Sequence, residues 1–94
     1  FLSVRDEDKR AVVFLAKQLA TMGFDLVSTP GTARFLSMNG VAVERVSKLG
    51  EGRRTVVDLI RDGDIQLILN TPLGKKSKRD ERSIRLAAME RGVP

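Results

Sequence analysis

The polar residues of this chain are spaced for holding a phosphate. Ser28-Thr29-Pro30-Gly31-Thr32-Ala33 follows the apolar run Phe24 to Val27 and opens a short helical run, Thr32 to Asn39. A strand that turns through Pro-Gly straight into a helix leaves unpaired backbone N–H groups at the helix start. Here two threonine hydroxyls stand beside them. The same six residues also suit an ordinary strand-to-helix turn with Thr32 as N-cap. Lys9 falls in the first turn of a helix, where the dipole disfavours a cation unless something offsets it. An anion would do so, and so would the adjacent Asp6, Glu7 and Asp8. At the exit of another apolar run, Asn70 and Thr71 offer an amide and a hydroxyl, with Pro72 and Gly74 fixing a sharp turn and Lys75 and Lys76 following.

The elements that must position these groups alternate. Phe1 to Val4 reads as a strand. Asp6 or Asp8 is placed to cap a helix running to Met22, with Val12, Leu15, Leu19 and Met22 as its apolar stripe, and Gly23 stops it. Phe24 to Ser28 is a second strand, Thr32 to Asn39 a short helix ended by Gly40, and Val41 to Val46 a third strand. Thr55 to Arg61 is a helix closed by Asp62-Gly63-Asp64. Ile65 to Leu69 is a continuous apolar strand of the kind buried on both faces. The last helix runs from about Lys78 to Arg91, with Ile84, Ala87 and Ala88 inward and Glu81 paired to Arg85. Gly92-Val93-Pro94 reads as the approach to a fifth strand. Such alternation predicts an α/β fold, a parallel sheet with right-handed crossovers and helices on both faces. In these sheets ligands bind at the carboxyl ends of the strands. The segments in those positions are 5–9, 28–32, 47–54 and 70–79, each with a hydroxyl, amide or cation.

Composition narrows the chemistry. The chain has 94 residues, 41% hydrophobic and 31% charged, which fits one soluble domain. It has no run of apolar residues long enough to span a membrane. With no cysteine, disulfides and thiolate chemistry are excluded; with no histidine, the commonest general base and metal ligand is missing. The chain starts at Phe1 inside an apolar run, so it is expected to be a piece of a longer polypeptide. Of the net charge of +5, residues 75–94 carry +4, from seven Lys and Arg against three acids. That excess attracts phosphate-bearing partners in general. The four phenylalanines, Phe1, Phe14, Phe24 and Phe35, stand at core-like positions, so no stacking platform for bases is visible and nucleic acid is the weaker reading.

Leu2-Ser3-Val4-Arg5, Asp8-Lys9, Gly23-Phe24, Ser28 to Ala33, Val46-Ser47-Lys48, Glu51-Gly52-Arg53 and Asn70-Thr71-Pro72-Leu73-Gly74 together resemble the methylglyoxal-synthase-like (MGS-like) domain. More narrowly, they resemble the carboxy-terminal regulatory domain of the carbamoyl-phosphate synthase large subunit. The likeness covers essentially the whole chain, 1–94, as a single regulatory domain. It implies a three-layer α/β/α fold with five parallel strands in the order 3-2-1-4-5, the last cut short or absent here. It also implies a site for nucleotide monophosphates of the UMP and IMP type, held by Lys9, Thr29, Gly31, Thr32, Lys48, Asn70 and Thr71, with Lys75 as a further cation. Pro72 stands where some relatives have a second threonine ligand. No catalytic residue, metal or cofactor is implied for the domain itself. ATP with Mg or Mn would belong to a parent ligase in the cytoplasm, or in an organelle of a eukaryote. The implied partners are the other domains of the large subunit and a glutaminase small subunit, with oligomers of the parent.

Two relatives are rivals. The lyase that names the family uses a carboxylate base and an assisting histidine, whereas here the matching loop reads Glu51-Gly52-Arg53 and histidine is absent. The cyclohydrolase domain of purine synthesis resembles residues 1–46 but continues into a lysine- and histidine-containing segment that this chain lacks.

Overall fold

A computed structural model of the chain describes residues 1–46, 55–71 and 78–94, with side chains of the last segment described from Glu81. The elements run β1 (Leu2–Ser3), a single 3-10 turn (Asp6–Asp8), α1 (Lys9–Thr21), β2 (Val27–Ser28), α2 (Pro30–Met38), β3 (Glu44–Arg45), α3 (Val56–Arg61), β4 (Leu69–Asn70) and α4 (Lys78–Arg91). All pairings are parallel, in the order β3-β2-β1-β4, with Leu2 opposite Ser28 and Leu69, and Ser28 opposite Arg45. This is the expected order up to the fourth strand. The fifth is not formed among the described residues; Ile68 N–H donates to the Pro94 carbonyl at 2.9 Å. Leu69 and Thr71 donate to the carbonyls of Phe1, just before β1, and of Ser3 in β1, so Pro94 lies on the other side of β4.

Successive residues of a strand point to opposite faces, and the sheet accordingly feeds two cores. Phe1 joins Val46, Val56, Val57, Ile60, Ile65, Ile84 and Ala87 beneath α3 and α4. Leu2 joins Val4, Val12, Ala16, Leu26, Leu36 and Val41 beneath α1 and α2. The three layers follow from this split. Among the described residues no helix is long and apolar enough to cross a membrane.

The strands begin later than their apolar runs suggest. The residues after each helix first close that helix: Phe24 N–H goes to the Leu19 carbonyl, Val41 to Leu36, and Asp64 to Leu59. Only beyond those bonds does the chain enter the ladder. On α1 the expected stripe is also displaced. Val12 and Ala16 are buried, while Leu15 and Met22 are exposed, the latter at 72%. Positions 12, 16 and 19 share one helical face, and the small Ala16, fully covered at 0%, lets the helix lie close on the sheet. Two phenylalanines are misplaced as well. Phe14 is 70% exposed on the outer face of α1 and Phe24 is 37% exposed, whereas Phe1 is buried.

Helix starts differ from expectation in an instructive way. Neither Asp6 nor Asp8 caps the backbone of α1; Asp8 takes the Arg5 guanidinium at 2.8 Å and Asp6 takes the Lys9 ammonium. Helix α2 starts at Pro30, with Thr29 rather than Thr32 in the N-cap position and the Ala33 N–H bonded to the Thr29 carbonyl at 2.8 Å. Proline suits the first helical position because its fixed φ is already helical and its missing N–H would have no partner there. At α3 the Thr55 N–H donates to the Asp58 carboxylate at 2.9 Å. On α4, Ile84 and Ala87 are buried and Ala88 half-buried, and Glu81 pairs with Arg85, as the sequence suggests.

Candidate functional site

Three adjacent strands, β2, β1 and β4, end at the same edge of the sheet, and their exits bring hydroxyls together. Ser3 lies opposite Asn70 in register. Thr29 Oγ1 stands 3.4 Å from Ser3 Oγ and 3.4 Å from Thr32 Oγ1. Thr32, 2% exposed, is at the third position of α2 and accepts the Val4 N–H at 3.2 Å. On the β4 side, Thr71 donates its N–H to the Ser3 carbonyl, and its hydroxyl accepts the Arg5 N–H, each at 2.8 Å. The two threonine hydroxyls thus fasten the exit of β1 from either side.

The cation of the site comes from α1. Lys9 is its first residue, and only 17% of its side chain is exposed. A Cβ added to Gly31 would lie 3.6 Å from Lys9 Nζ, so the ammonium sits over the first turn of α2. At that turn Pro30 has no N–H, and those of Gly31 and Thr32 have no intrahelical acceptor. Backbone donors, an ammonium and hydroxyls therefore meet in one place, which is the composition of a phosphate site. Asp6, 86% exposed, holds Lys9 from the solvent side. Next to it, hydrogen bonding to Asp8 first, then the charges of Asp8 and Glu7, raise the Arg5 guanidinium above its ordinary value.

Of the residues expected at the site, Lys9, Thr29, Gly31, Thr32 and Thr71 lie at the ends of these elements. Asn70 is half-buried on the same edge but lines a groove against α4, with Ile68, Glu81, Ile84, Arg85 and Met89, instead of facing Lys9. Lys48, Lys75, Pro72 and the loop Glu51-Gly52-Arg53 lie outside the described residues. One participant was missed by sequence reasoning: Ser3 sits inside a strand, and only the central position of β1 makes its hydroxyl a neighbour of Thr29. Of the three acids expected to offset Lys9, Asp6 is the one that pairs with it, while Asp8 and Glu7 turn to Arg5.

The parallel sheet and its strand order define a three-layer α/β domain with a polar cluster at the ends of its central strands. The model of the MGS-like domain family matches residues 11–94, and the chain belongs to that family. It is similar to the carbamoyl phosphate synthase large chain of Rhodopirellula baltica, 48% identical over 94 residues that make up 100% of this chain and 9% of that protein. The carbamoyl phosphate synthase large chain, C-terminal section, of Aquifex aeolicus is 46% identical over 94 residues, 100% of this chain and 18% of the relative. The corresponding section from Methanopyrus kandleri is 48% identical over 94 residues, 99% of this chain and 17% of the relative. The chain thus spans less than a fifth of the length of each of these relatives.

Proposed function

We propose that this domain is the allosteric effector-binding part of a carbamoyl phosphate synthase large chain, and that it takes a nucleoside monophosphate of the UMP or IMP type by its phosphate. The observation that carries this reading is the approach of the Lys9 ammonium to Gly31 at the start of α2, beside the hydroxyls of Thr29, Thr32 and Ser3. The phosphate would sit among the Gly31 and Thr32 N–H groups, the Thr29 hydroxyl and Lys9. Thr32 and Thr71 would hold the strand exits in place, with Lys48 and Lys75 supplying further charge. The parent would make carbamoyl phosphate for arginine and pyrimidine synthesis, using ATP with Mg or Mn in its other domains and a glutaminase partner, in the cytoplasm. An effector acts only through its different affinity for two states of the protein. The segments 47–54 and 70–79 are where those states would differ.

The lyase reading lacks its base. Proton abstraction next to a carbonyl needs a positioned proton acceptor, the chain has no histidine, and the carboxylate nearest Lys9, Asp6, is bonded to that lysine. The nucleic-acid reading rests on the charge of residues 75–94 and does not use the strand-end cluster.

Calorimetric titration with UMP and IMP at two salt concentrations, with inorganic phosphate as control, tests the proposal. Saturation at one equivalent, weakened in Lys9→Ala while the fold is retained, is the expected result. Binding that falls steeply with salt and has no defined stoichiometry would favour the nucleic-acid reading. No binding of any of the three would refute an effector site in this domain.

A further inference from the structure

Lys9 is the first residue of α1, and its ammonium reaches across to the first turn of α2. Both helices present their positive ends there, so the lysine stands where its own charge is least favourable. Its one carboxylate contact among the described residues is Asp6, three residues earlier in the preceding 3-10 turn. The two side chains are disposed very differently. Lys9 is 17% exposed and reaches inward over Gly31, whereas Asp6 is 86% exposed and closes over the ammonium from the water side. A phosphate approaching the Gly31 and Thr32 N–H groups from solvent meets an ammonium that Asp6 already engages, and the two anions compete for its charge.

We infer that Asp6 is an internal competitor for the anion site: its carboxylate occupies the ammonium that a ligand phosphate needs, and so sets the affinity of the site from within. The inference rests on the effector reading and adds to it the residue that regulates that site. Asp6 and the phosphate exchange at one cation. A monoanion arriving there replaces one negative charge by another and gains little. A phosphomonoester dianion brings a second charge, together with oxygens able to accept the α2 N–H groups, and this offsets the release of Asp6 into water. The competitor therefore leaves the site to ligands with a terminal phosphate and keeps weaker anions such as carboxylates and chloride off it.

The neighbouring acids do not share this role. Asp8 is engaged by the Arg5 guanidinium at 2.8 Å, and Glu7, 79% exposed, lies 3.8 Å from the same group. Glu7 therefore provides a control that removes the same charge from the same turn without touching Lys9.

The test is a calorimetric comparison of the 94-residue chain with Asp6→Asn, Glu7→Gln, Lys9→Ala and the double variant Asp6→Asn/Lys9→Ala, using UMP and inorganic phosphate as probes. Circular dichroism and urea midpoints establish that each variant is folded. The strength of an exposed ion pair translates into about two- to fivefold tighter binding of both probes by Asp6→Asn. Glu7→Gln should differ little from the parent, and the gain from Asp6→Asn should vanish when Lys9 is alanine. Equal tightening by Glu7→Gln, or a gain that persists without Lys9, would show that net charge alone is at work and overturn the inference. Unchanged affinity in Asp6→Asn would overturn it while leaving the effector reading intact. A parent chain that binds neither probe would overturn both.

Discussion

Removing the hydroxyl of Thr32 should damage the fold before it damages any binding. Seen only as a neighbour of the Pro-Gly turn, Thr32 looks like a ligand contact that could be deleted harmlessly. In the structure it is 2% exposed, and its oxygen is the acceptor for the N–H of Val4, itself 5% exposed. Thr32→Val keeps the shape and leaves that N–H without an acceptor in a buried place. An unsatisfied buried donor costs about 1–3 kcal/mol. In a domain of this size each kcal/mol moves the melting temperature by about 4–8 °C, so Thr32→Val should melt about 5–20 °C below the parent. Thr32→Ser retains the acceptor and loses one methyl, at a cost of about 1 kcal/mol. The expected stability order is therefore parent, Thr32→Ser, Thr32→Val. Urea and thermal unfolding would measure it, and amide exchange would show loss of protection at Val4 in the valine variant. Thr32→Val within about 0.5 kcal/mol of the parent, the range of ordinary surface changes, would refute the reasoning. It would mean that the 3.2 Å contact does not hold the exit of β1.

Two further outcomes are expected. Gly63→Ala should destabilise by about 1–2 kcal/mol because its φ of +81° is unfavourable for any residue with a Cβ. That Cβ would also meet Arg91 Nη2 at 2.7 Å, so Arg91→Ala should relieve only part of the loss, as read from urea midpoints of the double variant. Gly31→Ala should leave stability unchanged or slightly raised, since its Cβ would make only an ordinary 3.6 Å contact with Lys9 Nζ. It should nevertheless weaken UMP binding in a calorimetric titration, by lifting the ligand off the backbone.

Much of this architecture was legible because its punctuation is local. Gly23, Gly40 and Asp62-Gly63-Asp64 end helices in the structure as they do on reading, and the strand order followed from the family resemblance. Strand lengths were not legible, because the hydrogen bond from Phe24 to Leu19 or from Val41 to Leu36 joins residues that an apolar run treats as belonging to separate elements. The face of α1 was misread because hydrophobicity ranks Leu15 and Met22 above Ala16, whereas close packing on a sheet favours the small side chain. The site divided along the same line. Lys9, Thr29 and Thr32 are marked by their position at helix starts. Ser3 is brought to Thr29 by a parallel pairing between distant segments, and a linear pattern carries no trace of that pairing.

β3, the outermost strand on its side of the sheet among the described residues, bears on how the molecule treats its own copies. Glu44 and Val46 donate their N–H groups inward to Leu26 and Ser28, which turns the N–H of Arg45 toward the open side. Such a border could be extended by another chain. A second copy laid antiparallel along it, with like faces kept together, would set either Glu44 against Glu44 or Arg45 against Arg45. Both residues are exposed, and like charges placed directly opposite each other oppose the pairing. The border that invites extension thus discourages growth into a continuous ribbon of identical molecules, a safeguard carried by two consecutive residues of opposite sign.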